Sequence, residues 1–84
     1  MRALSPDVVG RRVDDRFVVV NLRTNRIYEL NRTASALWEL LGSGADTSEV
    51  EAGMRERFEV EPDVLHGEIE SAMNVLTQAG LVMA

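Results

Sequence analysis

The 84-residue sequence contains no cysteine and no lysine, a single histidine, two prolines and four aromatic side chains. Without cysteine there is no disulfide framework, zinc–thiolate site, iron–sulfur cluster or thiol nucleophile. One histidine with no cysteine also leaves the usual metal-ligand and nucleophile clusters unassembled, so neither a metal nor a cofactor is expected. No run approaches the roughly 20 consecutive apolar residues of a membrane span. The opening Met1-Arg2-Ala3-Leu4-Ser5-Pro6-Asp7 lacks the apolar core of a signal peptide. These absences predict one small domain over residues 1–84 that works in the cytoplasm.

What is present is 45% hydrophobic residues and a net charge of −5 that is unevenly spread. Residues 1–32 carry seven Arg against four acids, a balance of +3, whereas residues 33–84 carry two Arg against ten acids, a balance of −8. An acidic C-terminal half disfavours nucleic acid, whose phosphates need a basic face, and suits a basic partner.

The hydrophobic period changes once, near residue 31. Val8-Val9 and Val13 flank Gly10-Arg11-Arg12 in a short first strand, and Phe17 to Leu22 is β-branched and aromatic, as a second strand requires. Arg23-Thr24-Asn25-Arg26 reads as a turn with Asn25 left-handed, and Ile27 to Leu30 returns as the third strand. Alternation places Tyr28 and Leu30 on one face, and Ile27 and Glu29 on the other. Asn31 or Thr33 caps a first helix with Ala34, Leu37, Trp38 and Leu41 on its apolar stripe, and Gly42 ends it. Asp46 or Thr47 caps a second helix, with Glu49 in capping-box position and Val50, Met54 and Phe58 on one stripe. Pro62 starts a third, with Leu65, Ile69, Ala72, Met73 and Leu76 buried and Gly80 at its end. The predicted fold is α+β, a three-stranded antiparallel sheet followed by three helices.

Little in this pattern points to catalysis. His66 reads as an exposed helix residue, and the acids of the second half fall on the polar faces of amphipathic helices. Gly42-Ser43-Gly44 joins two helices and follows no strand, so it is no phosphate loop. Trp38, Met54 and Phe58 sit at core spacing. Gly53 and Gly67 are helix-interior glycines, costly relative to alanine. Close packing is the favoured explanation of both, and a ligand approaching the helix is the alternative. If the strands are ordered as they occur in the sequence, the third lies at a sheet edge, where a peptide can add as a further strand.

The run Arg26-Ile27-Tyr28-Glu29-Leu30-Asn31-Arg32-Thr33-Ala34-Ser35-Ala36-Leu37-Trp38-Glu39-Leu40-Leu41 resembles the Tyr-x-Leu-Asn … Trp-x-Leu-Leu signature of the PqqD family. Leu76 … Ala79-Gly80-Leu81-Val82 is similar to that family's closing Leu-x-x-x-Gly-Leu pattern, and the resemblance runs from about Val13 to Val82. It implies a RiPP recognition element, a winged helix-turn-helix domain that binds the leader region of a ribosomal precursor peptide. A chain of this length looks most like the stand-alone leader-binding protein of split lasso-peptide systems. Such a protein works with a cysteine-protease leader peptidase, upstream of an ATP-dependent cyclase. A PqqD proper, partnering a radical-SAM enzyme in pyrroloquinoline quinone biosynthesis, is the alternative.

In such domains the leader adds to the third strand and lies against the third helix. Carried onto this sequence, Arg26, Ile27, Tyr28 and Glu29 provide the edge. One flank of helix three offers Val64, Glu68, Ser71 and Val75, and the other His66, Glu70 and Met73. Valines interrupted by polar residues favour the first flank. Two rivals belong to other classes. One is a winged-helix DNA-binding regulator, disfavoured by Asp63, Glu68 and Glu70 and by the lack of any Arg or Lys between 58 and 84. The other is a protein-interaction module with no role in peptide maturation.

Overall fold

A computed structural model describes residues 4–83, apart from the side chain of Thr47. Met1, Arg2 and Ala3, which entered the signal-peptide argument, and Ala84 lie outside the described residues. Three strands, β1 (Val8–Val13), β2 (Arg16–Asn21) and β3 (Arg26–Glu29), are followed by three helices, α1 (Arg32–Gly42), α2 (Thr47–Arg57) and α3 (Pro62–Gln78). The sheet is antiparallel in the order β1-β2-β3, with Gly10 opposite Val19 and Val19 opposite Tyr28. No helix among the described residues is long and apolar enough to cross a membrane.

The hairpin turns follow from residues that tolerate a left-handed backbone. Asp14 (φ 57°) joins β1 to β2 and Asn25 (φ 59°) joins β2 to β3. β2 begins and ends one residue earlier than its sequence pattern implied. Its last residue, Asn21, is buried, whereas Leu22 is exposed in the turn. Asn21 is held there by polar contacts. Its Nδ2 donates to the Ala79 and Gly80 carbonyls at 3.3 and 3.5 Å, and its Oδ1 accepts from the Arg23 N–H. β3 likewise stops at Glu29 rather than Leu30, although the Leu30 N–H still donates to the Phe17 carbonyl at 2.9 Å.

Asn31 is the N-cap of α1, accepting from the Ala34 N–H, and the Asp46–Glu49 pair forms the capping box of α2. Gly42 does not end α1 by a left-handed turn. It is the last helical residue, Ser43 is the C-cap, and the positive φ (84°) falls at Gly44. The chain can reverse only after the final helical carbonyls have found partners in Ser43 and Gly44. Gly80, with φ 72°, follows α3 as its spacing predicted.

The core lies between one face of the sheet and the helices, around Val19, Leu37, Met54, Leu76 and Leu81. Trp38 packs tilted against Phe17, with ring centroids 5.0 Å apart, and its six-membered ring lies over Gly10. The buried Trp38 Nε1 finds no acceptor among the described residues. Ser35 ties α1 to the sheet, accepting from the Phe17 N–H and donating to the Leu30 carbonyl. Glu39 is not simply a solvated helix acid, because it pairs with Arg12 of β1 and, at 3.0 Å, with Arg57 of α2. The segment before β1 is joined to the segment after α3 through a Leu4–Val82 bridge and the Ser5 N–H to the Leu81 carbonyl.

Candidate functional site

β3 is an edge strand, paired only with β2 among the described residues. Main-chain direction alternates along an antiparallel strand. Because Leu30 donates to Phe17 on β2, Tyr28 and Arg26 also turn their N–H and C=O groups toward β2. Those of Ile27 and Glu29 therefore point away from the sheet, available to an incoming strand.

An open groove of about 670 Å³ lies between the end of β3 and α3. Buried Leu30, Ala34 and Ala72 form its base, and their small or recessed side chains give it depth. The exposed α3 residues Val64, Glu68, Ser71 and Val75 form one rim, and Glu29 stands on the strand side. Val64 and Val75 are 52% and 56% exposed and give the rim accessible apolar surface on either side of Glu68 and Ser71. Both charged residues lining the groove are acidic. Its electrostatic character thus differs from that of the Arg-rich sheet segment.

Five of the eight residues singled out in the sequence, Glu29, Val64, Glu68, Ser71 and Val75, thus meet in one groove. The other three are placed elsewhere. Arg26 and Tyr28 line a second cavity of about 590 Å³ at the opposite end of the strand, beside Gln78, Ala79 and Gly80. The Ile27 side chain is 70% exposed, and it contributes to the edge through its main chain. On the opposite flank of α3, His66 is exposed and lies between Glu51 (3.4 Å) and Glu70 (3.2 Å).

Sequence reasoning missed the groove base and misread one glycine. Gly53 is a packing glycine, since a Cβ there would sit 2.9 Å from Leu40 Cδ2 of α1. Gly67 is not: a Cβ there would meet nothing within 4 Å, and the residue lines the groove. The expectation that helix packing explains both glycines is corrected for Gly67. Close packing by the described residues therefore does not account for its cost of about 1 kcal/mol relative to alanine. The i, i+4 and i+8 spacing of Gly67, Ser71 and Val75 was the signal that all three share one face.

The model of the family described as Coenzyme PQQ synthesis protein D (PqqD) matches residues 16–82. No curated protein sequence matches the chain. A solved structure described as TbiB1 in complex with the TbiA(beta) leader peptide superposes with a TM-score of 0.89 at 22% identity, covering 98% of this chain and 95% of that one. Lasso peptide synthetase B1 complexed with the leader peptide superposes with a TM-score of 0.84 at 22% identity, covering 99% and 98%. At that identity the likeness establishes a shared fold. The sheet-then-helices order is common to all three, and the family model spans both the strand edge and the α3 rim; the chain belongs to the PqqD family.

Proposed function

We propose that the chain binds, without catalysis, the leader region of a ribosomal precursor peptide, which adds as a strand to β3 and docks against α3. The observation that carries this reading is the open main-chain edge at Ile27 and Glu29 running beside the groove rimmed by Val64, Glu68, Ser71 and Val75. Edge addition takes affinity from backbone hydrogen bonds and selectivity from side chains entering pockets. Both solved structures of this fold named above hold a leader peptide, which supports carrying that ligand class to this chain. Glu29 and Glu68 attract basic leader residues. Ordering a disordered leader costs about 2–5 kcal/mol or more. The groove contacts are needed to offset it.

The bound leader is then presented to a cysteine-protease leader peptidase of lasso-peptide biosynthesis, in the cytoplasm. The likeness to a lasso peptide synthetase component favours this partner. A second reading, delivery to a radical-SAM enzyme of quinone-cofactor synthesis, is favoured by the description of the matching family model. Co-purification with each candidate enzyme in the presence of leader separates the two.

Fluorescence anisotropy with a labelled leader tests the binding mode. Ile27→Pro removes an outward N–H while leaving the β2 ladder intact, and is expected to weaken binding at least about tenfold. Unchanged affinity in a folded Ile27→Pro variant refutes strand addition at this edge.

A further inference from the structure

We propose that Gly67 is a specificity-determining position, whose missing side chain lets one bulky apolar side chain of the bound peptide seat directly against the α3 backbone. The inference rests on the peptide-binding reading above and adds to it which residue sets the size of the anchor. Glycine inside a helix is unfavourable, and it is ordinarily retained where a neighbouring element comes too close for a Cβ. Gly53 shows that situation in this chain, with Leu40 against it. Gly67 is six residues into a 17-residue helix and has open space where its side chain would be. The space opens into the groove, between Val64 one turn before it and Ser71 one turn after it.

The chemistry around that gap defines the occupant. Val64 and Ala34 offer apolar surface, so the part of the ligand that fills the gap is apolar. Glu68 and Glu29 stand at the rim with no basic residue among those lining the groove, so the flanking part of the ligand is cationic. The expected ligand is an extended peptide with a large apolar residue next to lysine or arginine. A small side chain in the same place leaves the gap unfilled and forfeits its contacts.

The test is a displayed library of random twelve-residue peptides selected on the wild-type chain. The enriched peptides are then measured against wild type, Gly67→Ala, Gly67→Leu and Ile27→Pro. Gly67→Ala should raise Tm by about 5 °C, because alanine is the better helix former and meets no clash. It should nevertheless weaken binding. Gly67→Leu should weaken binding by about tenfold or more and shift a fresh selection toward smaller anchors. Higher Tm with undiminished affinity in both Gly67 variants, alongside weakened binding by Ile27→Pro, overturns the role of Gly67 and leaves strand addition standing. A selection that enriches nothing, or peptides insensitive to Ile27→Pro, overturns the underlying reading and this inference with it.

Discussion

At the scale of single residues, two positions hold the sheet to the helices by opposite means. Gly10 does so by having no side chain, since a Cβ there would lie 2.2 Å from Trp38 Cη2. Gly10→Ala must displace the indole, and overpacking of this kind costs about 1–3 kcal/mol, to be read as a lower urea midpoint with an unchanged slope. Asn21 works through polar contacts. It is 5% exposed and its amide holds the carbonyls that close α3. Asn21→Leu removes the amide bond to the Ala79 carbonyl, while the Gly80 carbonyl keeps the Ser5 hydroxyl, and is expected to destabilise by about 1 kcal/mol in the same measurement. Neither role was legible in the sequence. The sequence placed Gly10 in a short first strand and Asn21 in the second with no further role for either, because the partners of both lie on distant segments. Gly67 was visible as an anomaly, but only the surrounding space distinguishes it from Gly53.

At the scale of elements, the sequence was most informative where one local rule decides the outcome. The capping box at Asp46 and Glu49, the proline start of α3 and the stripe Leu65, Ala72 and Leu76 are set by neighbours within two helical turns. Asp46→Ala removes the cap and should lower stability by about 1 kcal/mol in thermal or urea unfolding. Strand ends were less legible. β2 gives way after Asn21 to a turn with Asn25 at positive φ, and β3 gives way after Glu29 to the Asn31 N-cap of α1, while the Leu22 and Leu30 N–H groups still donate to the Asp7 and Phe17 carbonyls. The register also separates two substitutions that look equivalent in the sequence. Ile27→Pro removes an outward N–H, whereas Tyr28→Pro removes one directed at β2 and should therefore destabilise the sheet itself. Circular dichroism during heating distinguishes them: Tyr28→Pro should lower Tm more than Ile27→Pro.

At the scale of the whole molecule, the charge asymmetry of the sequence becomes local. Arg12 of the sheet and Arg32 at the start of α1 pair with Glu39 and Asp15, while Glu29 and Glu68 remain at the groove rim. Binding of a basic peptide should weaken by at least about threefold between roughly 0.05 and 0.5 M salt, and Glu68→Gln should flatten that dependence. The central claim is that the free edge of β3 receives a strand, and amide hydrogen exchange followed by NMR tests it most directly. In the free protein the Tyr28 and Leu30 amides should be protected by β2 while those of Ile27 and Glu29 exchange quickly. Addition of a leader peptide should slow exchange at Ile27 and Glu29 selectively. Bound peptide that leaves both amides exchanging as fast as before contradicts the account.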